Sequence, residues 1–266
     1  SDMAIGLGLI FGFHIPINFN SPYKSRSIIE FWQRWHITLS SWLRDYIYNP
    51  IALKYLRKGK SFYNMYFALV ITWFFTGLWH GAAWNFVLWG LLHGIYIIIN
   101  RFILKINNSI ISINNIVWIN FSRLITFLSV TYSWVFFRSQ SFQGALSITD
   151  GMIGGNGFYL NSRLYDYLFF LDGFIIFNDQ EGSAVPIRPC IYIFFMFLII
   201  FLFPSSIEYF NYKPKFQNRQ SSQFEKYFSV PLKWEESYKD AIIFAILFII
   251  SILSITDRKE FIYFQF

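Results

Sequence analysis

Residues 76–94 read TGLWHGAAWNFVLWGLLHG, which sets one imidazole, His80, between Trp79 and Gly81 in an almost wholly apolar run and repeats the insertion with His93. The run belongs to a longer apolar stretch, residues 66–100. As continuous helix those positions would reach about 52 Å. That is too long for one crossing of the roughly 30 Å hydrocarbon core and short for two spans of about 20 residues each. Gly77 and Gly81 flank His80, so the spacing predicts two short or tilted helices broken beside His80. Non-helical backbone is tolerated at that depth only where it is buried in protein or lines a cavity.

The rest of the chain fits this setting. Of 266 residues, 55% are hydrophobic, 23% aromatic and only 14% charged, too apolar for an average soluble surface. The fold class expected is all-α, a polytopic integral membrane protein with a single domain over residues 1–266. The single cysteine, Cys190, excludes an intrachain disulfide framework and a CxxC motif. Net charge is +7, but the basic residues crowd into loops between apolar segments. That is a topology signal and not a nucleic-acid footprint.

Residues 3–19 read as the tail of one span, closed by Pro16 and the punctuation of INFNSPYK. A chain that opens SDMAIGLGLIFGF, already apolar, is expected to be a fragment with further spans upstream. Residues 20–65 carry Lys24, Arg26, Arg34, Arg44, Lys54, Arg57, Lys58 and Lys60 against Glu30 and Asp45, which makes the segment cytoplasmic by the positive-inside rule. Further spans are expected at 116–137, 190–206 and 241–256. Residues 139–189 lack the basic excess and are expected to face outward, with 164–177 as an interfacial or re-entrant piece.

Within the basic segment, residues 28–47 have helical period. Ile28, Trp32, Trp35, Leu39, Trp42, Leu43 and Tyr46 share one arc, and Gln33, Arg34, Thr38, Ser41, Arg44 and Asp45 take the other. The pattern predicts an amphipathic interfacial helix, with His36 at the edge of its apolar arc. Arg34, Arg44 and Asp45 are candidate substrate contacts. Arg44 and Asp45, as helix neighbours in sequence, would not face each other and equally suit a solvated face.

A polar side chain at membrane depth usually faces the bundle interior or a wet cavity. For His80 one reading is packing, a neutral imidazole bonded to a backbone carbonyl near a helix break. Another is a general base that takes a proton from a hydroxyl attacking an acyl carbonyl, since imidazole titrates near working pH. That chemistry needs a donor for the developing oxyanion. Trp79, Asn85 and the backbone N–H groups near Gly81 are the candidates. Haem ligation would need partner histidines, and His14 and His36 lie in ill-suited segments, while thirteen residues carry His93 to a different helix face from His80. No His, Cys or carboxylate cluster has zinc-ligand spacing, so no metal and no bound cofactor is expected. His93 has a packing context.

SDMAIGLGLIFGF, NFNSPYKSRSIIEFWQRWHITLSSWLRDYIYNP, TGLWHGAAWNFVLWGLLHG, SWVFFRS and the closing FIYFQF together resemble the membrane-bound O-acyltransferase family. More narrowly they are similar to its bacterial branch that acetylates alginate and related exopolysaccharides, itself akin to the D-alanyl transferase of teichoic acid modification. The likeness runs from residue 1 to about 138 and resumes at the last few residues. It implies a ring of membrane helices of that family's type around a pore that joins a cytoplasmic donor to an outward-facing acceptor. It implies that His80 is catalytic and His36 functionally required. It further implies an acyl thioester donor such as acetyl-CoA, an exported polysaccharide acceptor, a periplasmic or membrane-anchored acetyltransferase partner, and a bacterial inner-membrane location. One departure stands out: after RDYIYNP the branch commonly has a Gly-rich basic turn, where this chain has IALKYLRKGKSF. Two other classes stay open from the residues alone, a proton-coupled transporter or channel with His80 and His36 as relay groups, and a non-catalytic scaffold of a secretion complex.

Overall fold

A computed structural model describes residues 1–56, 63–107, 116–155, 159–160, 165–168, 176–177, 187–212, 234 and 237–254. The IALKYLRKGKSF departure and the FIYFQF terminus lie partly or wholly outside those residues. Helices account for nearly all of what is described. The exception is a parallel pairing of β1 (Tyr159–Leu160) with β2 (Ile176–Phe177). It flanks a short helix, Tyr165–Leu168, and most of the expected 164–177 piece lies outside the described residues.

The centre is a hairpin of α5 (Tyr63–His80) and α6 (Trp84–Asn107). It is preceded by α1 (Asp2–Ile10), α2 (Ile28–Arg34), α3 (Ile37–Leu43) and α4 (Asn49–Leu56), and followed by α7 (Ile116–Arg138) and α8 (Phe142–Met152). The expected break falls where the glycines mark it: α5 ends on His80, and Gly81–Ala83 turn the chain into α6. The two helices are longer than the apolar run, because Arg101 and Lys105 continue α6 as helix. Long basic side chains can reach the headgroup level while their stems stay in apolar surroundings. Among the described residues one helix, Trp84–Lys105, is long and apolar enough to cross a membrane. Met65–His80 and Pro189–Leu202 are apolar but shorter.

Small residues let the hairpin close. A Cβ on Gly90 would collide with the Trp73 carbonyl oxygen, and one on Gly77 with that of Phe86. The backbones of α5 and α6 therefore touch where most helix pairs hold side chains between them, as small-residue interfaces in membranes do. Polar residues within α5 and the neighbouring α7 satisfy themselves locally. Thr72 donates its hydroxyl to the Ala68 carbonyl (2.7 Å), Thr76 to that of Thr72 (2.8 Å) and Ser133 to that of Ser129 (3.0 Å).

Around the hairpin lies an aromatic core that joins Phe31 and Trp32 of α2, Trp73 of α5, Trp89 of α6 and Phe136 of α7. The interfacial reading of 28–47 is corrected here in two ways. Its first half, α2, is a core element, with Ile28, Phe31 and Trp32 buried, while Trp42 and Tyr46 further along are exposed. Nor is the helix continuous, since it breaks at Trp35–His36 and His36 adopts a left-handed backbone, φ 44° and ψ 53°. After α3 the chain runs through a π-helical turn, Arg44–Tyr48, into α4.

The N-terminal span is also shorter than 3–19. The helix α1 stops at Ile10 because Gly12 (φ 78°) takes the left-handed position and the Phe13 amide reaches back to the Gly8 carbonyl (2.8 Å). That pattern is a Schellman stop. The C-terminal half adds α10 (Ile187–Leu202), the short α11 (Ser206–Tyr209) and α12 (Tyr238–Leu253), with Tyr165–Leu168 as α9. Both long helices lie near the expected 190–206 and 241–256. The α10 end meets the 3₁₀ turn Pro22–Lys24, where Lys24 Nζ donates to the Phe203 carbonyl (2.8 Å).

Candidate active site

His80 closes α5, and three rings stand edge-on around its half-buried imidazole: Trp79 at 4.8 Å, Trp89 of α6 at 4.9 Å and Phe137 of α7 at 5.0 Å. Gly81 makes room for the Phe86 ring, which packs on Phe137 (5.2 Å). Three helices thus converge on one imidazole, and among the described residues none of the hydrogen bonds engages it.

His36 approaches from the other side. Its ring lies 6.4 Å from Trp79 and 5.8 Å from Phe19, so the exposed indole of Trp79 stands beside both imidazoles. A clasp holds the helix break that presents His36. The Arg34 carbonyl accepts from the Asn20 amide (2.9 Å), and the Ile37 amide donates to the Asn18 carbonyl (2.9 Å). Asn18 Oδ1 accepts from both the amide (3.2 Å) and the hydroxyl (3.0 Å) of Thr38. The groups that a continuous helix would have paired internally are paired instead with the strand-like 18–20 segment. A non-glycine residue in the left-handed region costs on the order of 1–2 kcal/mol, and it persists because the clasp over-determines it. Burial lowers the pKa of His36 from the ordinary 6.5, an approach to its own backbone opposing in part, and its Nδ1 is enclosed without a good hydrogen-bond partner. That shift favours the uncharged imidazole at neutral pH.

The other sequence candidates fall elsewhere. Asn85 is buried, and its side-chain amide donates to the Phe136 (3.3 Å) and Ser139 (2.9 Å) carbonyls. That ties the start of α6 to the end of α7 and leaves no free N–H for an oxyanion. Arg34 is buried on α2, bridged to Glu30 (2.9 Å) and bonded to the Asn20 carbonyl (3.2 Å). It sustains the helix that carries His36. Arg44 and Asp45 do pair, contrary to the expectation for adjacent helical residues: Nε meets Oδ1 at 3.0 Å on the exposed π-helical turn. Among the described residues no group of three or more His, Cys, Asp or Glu side chains could hold a metal.

The sequence reading missed how far the site depends on Asn18. The only visible signal was NFNS itself, two short amides beside a turn. It also gave His93 little beyond packing, whereas the structure places that ring at zero exposure with Trp32 Nε1 donating to its Nδ1 (3.2 Å).

A profile of the membrane-bound O-acyltransferase family matches residues 1–149, which contain α1 to α7, both imidazoles and the clasp. The chain belongs to the membrane-bound O-acyltransferase family. Within it, the chain is 36% identical over 197 residues to the peptidoglycan O-acetyltransferase of Helicobacter pylori, covering 71% of this chain and 35% of that protein. It is 34% identical over 268 residues to the probable alginate O-acetylase of Pseudomonas putida, covering 100% of this chain and 49% of that protein. The teichoic acid D-alanyltransferase of Bacillus subtilis is 32% identical over 149 residues, 53% of this chain and 35% of the other. This member of the family thus spans about half or less of the length of those relatives.

Proposed function

We propose that the complete protein is a multi-pass enzyme of the bacterial inner membrane that moves an acyl group, acetyl in the first instance, from a cytoplasmic thioester such as acetyl-CoA toward an exported polysaccharide. A periplasmic or membrane-anchored acetyltransferase partner takes part in the final delivery. The observation that carries this reading is His80 at a helix terminus, its imidazole walled by three aromatic edges and without a hydrogen bond among the described residues. An imidazole so placed can accept a proton from an acceptor hydroxyl as the oxygen attacks the thioester carbonyl. The C–O bond forms, the C–S bond breaks, and the thiol leaves with a proton. His36, uncharged at neutral pH, flanks the same indole and serves the acyl donor side. Family membership and the O-acetyltransferase names of relatives support the reaction class. The helices α5, α6 and α7 contain no Asp or Glu, which argues against a carboxylate-based proton path and so against the transporter reading.

The experiment replaces His80→Ala in the full-length protein in its native cell and measures ester-linked acetate on the exported polymer by mass analysis. Acetate is expected to vanish while membrane insertion, followed by immunoblot of washed membranes, is unchanged. Normal acetate content in that strain excludes the assignment and leaves a scaffold role.

A further inference from the structure

We infer that His93 is a positioning residue of the acyltransferase site, and that the hydrogen bond from Trp32 Nε1 to its Nδ1 is the lock that sets how deep α2 sits and hence where His36 stands. The inference rests on the reading of His36 and His80 as the working pair.

The ring of His93 has zero exposure and lies among Phe31, Trp32, Trp73, Trp89 and Tyr96, with centroids 5.0–6.5 Å away. An apolar ring would fill such a space without cost. An imidazole there must be desolvated, and only one of its nitrogens is bonded: Nδ1 accepts from Trp32, while Nε2 has no partner. A buried polar contact that adds little net stability can still fix register where apolar packing would not. This is such a place. The helix α2 has seven residues and presents aromatic or aliphatic groups at 28, 29, 31 and 32, with Trp35 at its C-cap. A shift along α6 would still bury rings against rings. The Trp32–His93 hydrogen bond is directional.

Register matters because the break follows at once. Trp32 is four residues before His36, with the end of α2 at Arg34 and the extended Trp35 between them, so a displacement of Trp32 shifts the start of the break that presents the left-handed residue beside Trp79. Asn18 fixes the far side of the break through Ile37 and Thr38, Asn20 holds its near edge at Arg34, and His93 holds Trp32 one step further back on α2. The same ring also touches Trp89, which packs on His80 at 4.9 Å. His93 therefore braces walls of the site that approach both imidazoles, without itself reaching the reacting atoms.

The test uses the full-length protein in inverted membrane vesicles from its native strain, with acetyl-CoA as the donor and acetate incorporation into polymer as the readout, normalised to inserted protein. Trp32→Phe keeps an aromatic ring there, smaller than the indole, and removes the N–H. His93→Asn keeps an acceptor near the Nδ1 position, and His93→Phe removes it. Expected are a fall in kcat of about tenfold or more for Trp32→Phe and His93→Phe, because sub-ångström to ångström displacements of a catalytic group cost on that order. KM for acetyl-CoA is expected to change less than about twofold. His93→Asn is expected to recover most of the loss, and the Trp32→Phe/His93→Phe double variant to be no worse than either single one, as members of one interaction behave. If His93→Phe does not insert, Trp32→Phe alone carries the test. Unchanged kcat in inserted Trp32→Phe, or losses that add in the double variant, overturns the inference. An inactive wild-type vesicle preparation overturns the acyltransferase reading instead.

Discussion

Asn18 Oδ1 accepts two hydrogen bonds from Thr38, 3.2 Å from its amide and 3.0 Å from its hydroxyl, while the Asn18 carbonyl takes the amide of Ile37. One residue thus caps the first turn of α3 and pins the chain on the C-terminal side of His36. The side-chain share of that job can be removed separately. Asn18→Ala is expected to cost about 1 kcal/mol of stability and, by loosening His36, to reduce acyl transfer about tenfold. Asn18→Asp keeps the acceptor and is expected to stay within about threefold of wild type. Comparing the two substitutions in vesicle assays decides the matter, and equal activity of Asn18→Ala and wild type would mean that the main-chain contacts suffice.

The hairpin supplies a prediction about stability with an internal control. Gly90 lies where the α6 backbone meets the Trp73 carbonyl, whereas a Cβ on Gly6 of α1 would meet nothing within 4 Å. Gly90→Ala forces two backbones apart in a packed core, an overpacking cost of about 1–3 kcal/mol. Gly6→Ala is expected to be neutral or to help its helix by up to about 1 kcal/mol. Thermal unfolding of the detergent-purified protein should rank Gly90→Ala well below wild type and Gly6→Ala at or above it. A Gly90→Ala protein as stable as wild type would show that α5 and α6 separate freely.

What could be read from the chain alone divides by range. The break at His80 was visible because its cause is local: glycines at 77 and 81 inside a run too long for one span. The break at His36 was not, because Trp35, His36 and Ile37 keep the helical period. The hydrogen bonds that make a left-handed residue tolerable there come from Asn18 and Asn20, and no window over 28–47 contains them. The partners of Asn85 were hidden for the same reason, being carbonyls at Phe136 and Ser139, 51 and 54 residues away. Arg44 and Asp45 pair on a π-helical turn, a local geometry that a 3.6-residue period does not anticipate.

The last prediction concerns pH. Burial lowers the His36 pKa below the ordinary 6.5, with contact to its own backbone opposing. A group whose folded pKa is depressed is protonated more readily in the unfolded chain than in the native one. Its full contribution to stability is therefore present above the unfolded value and is lost as pH falls through the folded one. Between about pH 7 and about pH 5 the wild type should thus lose more thermal stability than His36→Gln, which has nothing to titrate there. Activity should follow the same direction, holding as pH drops to the ordinary histidine value and failing below it, because the working ring is the uncharged one. The check is a pair of melting curves at several pH values with the substitution His36→Gln, alongside an activity profile of the wild type. Parallel loss of stability in both proteins would place the acid sensitivity elsewhere. A wild-type activity that rises on acidification would mean that the imidazolium is the functional form.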